Sequence, residues 1–327
     1  MRNRVTFKKS DWQEADGSWN LSFACPVVYA GDLPFLEIEA AQPVSVKFNG
    51  SCLVEKRSGL LRIPVDRLMK AADNELEVIG DVEGISLLLV PKSHFYVPEN
   101  GEPLIRARTR SLAEEGTVMA SGTVKDAAAG DRLKFTLYDP EGCLVDQVEV
   151  DARNGEPVAL YVNRPRLWQA NEPADLYYLS AQLIRAGKIR DEAGIPCGLR
   201  SFGVDADGSF TLNGCRTALF VREVDRQLNK DELNELKKSG VNCLYLKVHQ
   251  NDPLFYTRCD ASGIVLLEKL EDASLQVALA SDHPSVCFWV ADDEKYPEMA
   301  MIDPTRLVLP ESQIRIDQGR LDMKMAG

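Results

Sequence analysis

The stretch Asn229–Val248 reads NKDELNELKKSGVNCLYLKV, and it marks a change in the periodicity of the chain. Asn229 followed three residues later by Glu232 is the pattern of a capped helix start. Gly240 is a typical residue just beyond a helix end. The apolar run 241–248 that follows is typical of a buried strand. The stretch therefore predicts a helix followed directly by a strand.

The same alternation continues downstream. Asp252-Pro253 predicts the start of a second helix and Gly263 its end, and residues 274–280 predict a third helix. Strands that alternate with helices form parallel sheets. We expect strands of such a sheet at residues 222–225, 241–248, 264–267, 286–290 and 307–309, with a sixth candidate at 313–316.

Upstream of Phe202 the pattern is different, because short runs with a two-residue period alternate with turn residues. Val44–Phe48 alternates and stops at Asn49-Gly50, a strong hairpin signal. The segment 97–103 is rich in proline, glycine and glutamate and reads as a linker. The number of strands predicts two β-sandwiches, and the size of the second is that of an immunoglobulin-like domain.

Composition excludes several classes of function. The chain has 327 residues, more than one hydrophobic core usually supports, and a net charge of −12, which argues against nucleic acid or an anionic membrane as partner. No apolar run is long enough to cross a bilayer and no signal-peptide pattern is present, so we expect a cytoplasmic protein. Eight scattered cysteines and three histidines form no ligand pattern, so we expect neither metal nor cofactor.

Several motifs, in this order, resemble family 2 glycoside hydrolases of the β-galactosidase and β-glucuronidase type. They are Arg164-Pro165-Arg166-Leu167-Trp168 with Pro173, Gly198–Phe202, Phe210–Gly214, His283–Val286 leading to Trp289, and Asp303–Arg306. The resemblance covers nearly the whole chain. It implies a mainly β, multidomain protein: a sugar-binding-like jelly-roll β-sandwich at 1–98, an immunoglobulin-like β-sandwich at 99–202, and a truncated (β/α) TIM-barrel-like region at 203–327.

The resemblance also implies the chemistry. Such enzymes hydrolyse β-glycosides with two carboxyl groups, one an acid/base and one a nucleophile. Glu294, five residues after Trp289, occupies the acid/base position. Asp293 stands where the family has an asparagine directly before this glutamate. An ionised aspartate can only accept hydrogen bonds, whereas the amide also donates them. Asp292 adds a further carboxylate, and we expect like-charge repulsion among the three.

Other positions implied to bind substrate have changed as well. Asp225-Arg226-Gln227 stands where the family has Asn-Arg-His. His249 lies one residue away from the position at which the family has a histidine after the second strand. Because strand side chains alternate faces, we expect it to point away from the site unless a bulge corrects it. Glu268 retains the acidic end of the third strand. The substrate-binding candidates are therefore Asp225, Arg226, His249, Glu268, Trp289 and Asp293.

The largest departure from the family is that no nucleophilic glutamate is found. A complete barrel needs roughly 250 residues, and no segment matches the seventh strand that carries the nucleophilic glutamate. Three alternatives stay open: a catalytically impaired relative that binds carbohydrate or serves assembly, an active retaining β-glycosidase that uses Glu294, and a scaffold without sugar affinity. Half a barrel would expose an apolar face. This face can be covered in two ways: the segment 296–316 folds back over it, or two chains pair through it. We predict the second, a homodimer.

Overall fold

The computed structural model describes residues 2–15, 17–25, 32–112, 114–170, 174–205, 207–249 and 252–323. Pro173 of the quoted motif therefore lies outside the described residues. Within these ranges the chain is mostly β-structure, arranged in seven sheets. No helix of the described part is long and apolar enough to span a membrane.

The first β region is one seven-stranded antiparallel sheet. Its strands are β1 (Asn3–Thr6), β2 (Gln13–Ala15), β3 (Ser18–Phe23), β4 (Leu33–Phe48), β5 (Ser51–Pro64), β6 (Asn74–Ile79) and β7 (Gly84–Val90). Their order is β1-β7-β4-β6-β3-β2, with β5 paired to β4. The hairpin predicted at Asn49-Gly50 joins β4 to β5, and both residues adopt the positive φ that such a turn requires.

Strand β4 folds this sheet around one core. Its first half pairs with β7 and its second half with β6. The pairing with β5 shifts register between Ala40 and Val44, where Pro43 cannot donate a ladder hydrogen bond. Ile38, before the shift, and Phe48, after it, are both fully buried in the same apolar cluster.

The second β region packs two sheets face to face. Its strands are β8 (His94–Phe95), β9 (Arg106–Leu112), β10 (Glu115–Ser121), β11 (Val124–Lys125), β12 (Arg132–Tyr138), β13 (Leu144–Asp151), β14 (Val158–Asn163), β15 (Tyr177–Arg185) and β16 (Lys188–Cys197). The sheets β14-β10-β9 and β13-β12-β15-β16 share one core. Phe95 also packs in this core, although it precedes the predicted boundary at residue 98.

The β/α region begins with a small antiparallel sheet, β17 (Phe202–Val204), β18 (Phe210–Leu212) and β19 (Cys215–Arg216). A parallel sheet follows, with the order β20 (Val221–Val224), β21 (Cys243–Leu246), β22 (Val265–Lys269), β23 (Val286–Ala291) and β24 (Leu307–Pro310). The helices are α1 (Lys230–Lys238), α2 (Pro253–Ser262), α3 (Ala273–Ala280) and α4 (Tyr296–Met299).

Local sequence signals explain the helix ends. Asn229 caps α1 by accepting hydrogen bonds from two backbone N–H groups, and Glu232 completes the capping box. The Asp252 side chain caps α2 by accepting one hydrogen bond, from the backbone N–H of Leu254. The helix ends at Gly263, whose φ of 66° lies in the left-handed region. These predicted boundaries are confirmed.

The sixth candidate strand is wrong. Residues 313–316 do not extend the parallel sheet; Ile314–Asp317 (β25) instead pairs antiparallel with Arg320–Met323 (β26). A short apolar run predicts a strand but not the direction of its partner. The backbone N–H of Leu321 donates to the carbonyl of Leu219, so this hairpin lies beside the start of β20.

The β25–β26 hairpin also covers the apolar face of the parallel sheet. Ile314, Ile316 and Leu321 pack in the same cluster as Phe288 and Val290 of β23. The small sheet β17–β19 adds to this cover through Phe210. The alternative of a chain that folds back is therefore the one observed. The homodimer stays a prediction, since this cover leaves β20 and β24 at the edges of the parallel sheet.

A buried joint connects the second β region to the β/α region. The indole N–H of Trp168 donates to the Asp260 carbonyl at 2.9 Å, and Trp168 packs with the β/α core rather than with its own region. The Arg200 guanidinium donates to the carbonyl of Pro284. A Cβ on Gly198 would lie 2.7 Å from the Pro284 ring, so only glycine allows this contact.

Candidate functional site

The carboxyl ends of the parallel strands meet at one edge of the sheet, as they do in every parallel β/α arrangement. Lys269 ends β22, Asp292 follows β23 and Glu311 follows β24. A depression of about 500 Å³ lies at this edge. Its lining residues are Asp292, Asp293, Glu294, Lys295, Glu311 and Ser312. We call it the strand-end depression.

Lys269 holds two of these carboxylates. Its Nζ lies 2.9 Å from Asp292 Oδ1 and 2.8 Å from Glu311 Oε2, and the Tyr245 hydroxyl donates to Glu311 Oε1 at 3.0 Å. Hydrogen bonds from Lys269 lower the pKa of Asp292 and of Glu311, and those two carboxylates raise the pKa of Lys269. Lys269, from the neighbouring strand, therefore offsets the negative charge of Asp292, and the expected repulsion does not raise the pKa of Asp292.

Asp293 and Glu294 lie in the strand-end depression, and both side chains are exposed. Asp293 Oδ1 accepts a hydrogen bond from the backbone N–H of Ser312 at 3.1 Å. A glycosidic acid needs a raised pKa, so that it keeps its proton at neutral pH. Asp292 and Glu311, which line the same depression, both have lowered pKa values. These two carboxyl groups therefore act as hydrogen-bond acceptors more readily than as proton donors.

Glu268 lies on the opposite, helix-facing side of the sheet. Its carboxylate is fully buried and accepts hydrogen bonds from Tyr256 at 3.0 Å and Gln276 at 2.8 Å. His249 Nδ1 is 2.8 Å from the same carboxylate, so His249 points to the helix-facing side of the sheet and does not line the strand-end depression. Strand alternation does not apply to His249 because β21 ends at Leu246. Both candidates therefore belong to one hydrogen-bonded network, and neither lines the strand-end depression.

Trp289 is also buried. Its indole N–H donates to Asp303 Oδ2 at 3.1 Å, and its ring packs among the helices. Asp303 in turn pairs with Arg306 at 3.2 Å. The motif residues Trp289, Asp303 and Arg306 therefore hold the fourth and fifth strands together, and the structure gives Trp289 no face toward a ligand.

A second cavity, of about 570 Å³, lies between the first β region and the β/α region, and we call it the inter-region cleft. One wall comes from β4 and β5, and the other from the loop after β20 and the first turns of α1 and α2. Arg226 lies here, paired with Glu232 at the start of α1. Gln227 lines the same wall and accepts a hydrogen bond from the Asp252 backbone N–H at 3.1 Å. Asp225 is exposed and lines neither cavity.

The candidates from the sequence therefore occupy separate places: Asp293 and Glu294 in the strand-end depression, Arg226 in the inter-region cleft, and Glu268, Trp289 and His249 in packed surroundings. Sequence reasoning missed Lys269 and Glu311. Alternation along β22 was an available signal, since it puts Lys269 on the face opposite to Glu268. The partner Glu311 lies 42 residues away, and no sequence pattern marks that pair.

Two antiparallel β regions followed by a parallel β/α sheet make this a mostly β protein, and solved structures of glycosidases share its fold. An FMN-binding β-glucuronidase from Faecalibacterium prausnitzii L2-6 superposes with a TM-score of 0.78 at 23% identity, covering 89% of this chain and 56% of that one. A putative β-galactosidase from Bacteroides fragilis gives a TM-score of 0.74 at 17% identity, with coverages of 89% and 54%.

Sequence relatives carry the same kinds of name. A putative β-glucuronidase of Formosa agariphila is 22% identical over 307 residues, which is 81% of this chain and 29% of that protein. A β-glucuronidase of Bacteroides fragilis is 25% identical over 218 residues, 54% of this chain and 31% of the relative. No protein-family profile matches the chain. The chain is a family 2 glycoside hydrolase-like protein, and it spans under a third of the length of these curated relatives.

Proposed function

We propose that this chain acts in carbohydrate metabolism by binding carbohydrate, and that on its own it does not hydrolyse glycosides. The similarity to β-glucuronidases and β-galactosidases supports a carbohydrate role. The observation that carries the second part is the state of the strand-end depression, where Lys269 pairs with both Asp292 and Glu311.

This pairing makes Asp292 and Glu311 poor substitutes for either carboxyl group of a retaining mechanism. A carboxylate whose pKa is lowered by a lysine is a weak proton donor at neutral pH. The same ion pair lowers the nucleophilicity of the carboxylate, because its charge is already neutralised. Glu294 is the residue in the acid/base position, and its side chain is exposed to solvent rather than enclosed in an apolar pocket.

The test combines a binding panel with two chromogenic substrates. We expect the intact chain to bind members of a neutral and acidic glycan panel and to release no nitrophenol from p-nitrophenyl β-galactoside or β-glucuronide. Turnover that disappears in Glu294→Gln but persists in the exposed control Glu298→Gln would establish an active glycosidase and overturn the proposal. Absence of both binding and turnover would favour a scaffold without sugar affinity.

A further inference from the structure

The inter-region cleft has two walls. Ion pairs join charged side chains within each wall but not across the cleft. On the first wall, Glu37 pairs with Arg4 at 2.6 Å and Arg62 at 2.8 Å. On the second, Arg258 pairs with Asp252 at 2.9 Å, and Arg226 pairs with Glu232 as described above. Among the residues that the structure describes, no ion pair links one wall to the other. The cleft is therefore not closed by its own charges.

Carboxylates line both walls of this gap. Glu39 of β4 makes no ion pair within the described residues, and its surroundings are unfavourable for a charge. Burial is the largest cause that raises the pKa of Glu39, and the charge of Glu37 is the next. Arg4 lowers this pKa, whereas Glu83 and Asp252 raise it further. Asp252 belongs to the opposite wall. An occupant that donates hydrogen bonds would relieve this arrangement, because an ionised carboxylate can only accept them.

The lining also limits the charge of the occupant. The four arginines in the cleft pair with three carboxylates, Glu37, Glu232 and Asp252, and Glu39 and Glu83 add two more carboxylates to the lining, so the cleft has no excess positive charge for an anionic group. A guanidinium has five N–H donors, and an ion pair leaves some of them for hydroxyl oxygens. No group of three metal-ligating side chains occurs in the described part of the chain. Hydroxyl groups, which both donate and accept, match a surface of this kind.

We propose that the inter-region cleft binds an uncharged sugar of one or two rings, whose hydroxyl groups donate to Glu39 on one wall and Asp252 on the other. The inference rests on the proposed carbohydrate-binding function and locates it away from the strand-end depression. The volume of about 570 Å³ falls within the range of roughly 300–1,000 Å³ that is usual for small-molecule sites. Leu60 and Leu254, one from each wall, supply apolar surface for the ring carbons.

Calorimetric titration of the intact chain with methyl β-galactoside, methyl β-glucuronide and glucosamine tests this site. We expect the neutral glycoside to bind more tightly than the anionic and the cationic sugar. Glu39→Gln should weaken binding about tenfold, because the amide is a poorer acceptor than the carboxylate it replaces. Ala41→Trp, at an exposed position that lines the cleft, should abolish binding by filling the space. Glu75→Gln, an exposed carboxylate on β6 outside the cleft, is the matched control and should bind as the native chain does.

The other outcomes separate this inference from the proposed function. Binding as tight as that of the native chain in both cleft variants, together with loss of binding in Glu294→Gln, would place the site in the strand-end depression. That result would overturn the inference but leave the proposed function standing. Tighter binding of the glucuronide or of glucosamine than of the galactoside would overturn the inference that the bound sugar is uncharged. Absence of binding by all three sugars and by the glycan panel would overturn both. Thermal melting of each variant shows that a loss of affinity does not come from unfolding.

Discussion

The β/α region meets the two β regions that precede it in opposite ways. Toward the second β region the contact is packed and hydrogen-bonded: Trp168 is fully buried and donates to the Asp260 carbonyl, and Arg200 donates to the carbonyl of Pro284, whose ring packs against Gly198. Toward the first β region there is a cleft of about 570 Å³ whose ion pairs stay within each wall. Joints of the first kind fix geometry, and gaps between regions are common places for ligands. The difference separates a part that holds the fold from a part that is open to bind.

The largest expected effect is at the buried joint. Trp168→Ala removes a fully buried ring and its hydrogen bond, and we expect a loss of about 3–5 kcal/mol in the free energy of unfolding. Trp168→Phe keeps most of the volume and should cost about 1 kcal/mol for the lost hydrogen bond. Urea unfolding followed by circular dichroism measures both. Equal losses in the two variants would mean that the ring packing contributes nothing beyond the hydrogen bond.

The next effect concerns the ion pairs of the strand-end depression. Lys269→Met removes the shared cation of Asp292 and Glu311, and we expect a fall of about 1–3 °C in the melting temperature at pH 7. Lys295, whose Nζ is 3.7 Å from Asp292, is the matched control. Because it is more exposed and pairs with one carboxylate only, Lys295→Met should change the melting temperature less.

The pH dependence sharpens the Lys269 prediction. The pKa values of Asp292 and Glu311 are lowered in the folded state. Their contribution to stability is therefore present above their unfolded pKa values, near 4, and lost as the pH falls through the folded values. The raised pKa of Lys269 gives a contribution that is lost only at strongly alkaline pH. We expect the native chain and Lys269→Met to converge below about pH 4. A difference in melting temperature that stays constant from pH 7 to pH 3 would contradict the ion-pair account.

How much the sequence could predict depended on the range of the interaction. The ends of α1 and α2 follow from caps within a few residues, so Asn229 and Gly263 predicted them correctly. Glu268 was identified as an acidic strand end, but its buried partners Tyr256 and Gln276 come from two separate helices. The direction of β25 was not predictable either, because its partner β26 is itself a short segment without a strong pattern.

The site residues show the same limit. The position of Glu294 after β23 follows from the motif that begins at Trp289, and the structure does place it at the strand-end edge. What surrounds that edge was not predictable, since Lys269 and Glu311 meet through pairing of β22, β23 and β24. The inter-region cleft joins residues separated by about two thirds of the chain, and nothing in the period of either segment indicates their contact.

The smallest expected effect is at Glu39 without ligand, and it has the opposite sign. Burial raises the pKa of Glu39 in the folded chain, so the folded state binds its proton more tightly than the unfolded state does. Between the unfolded value and the raised folded value, stability then falls as the pH rises. Glu39→Gln removes this penalty and should leave the chain equally stable or more stable at pH 7, by up to about 0.5 kcal/mol. Urea unfolding at pH 7 and pH 4 measures it, and the gain should vanish at the lower pH. A variant that is less stable at pH 7 would mean that Glu39 is satisfied within the protein, and that the cleft needs no ligand to supply hydrogen-bond donors.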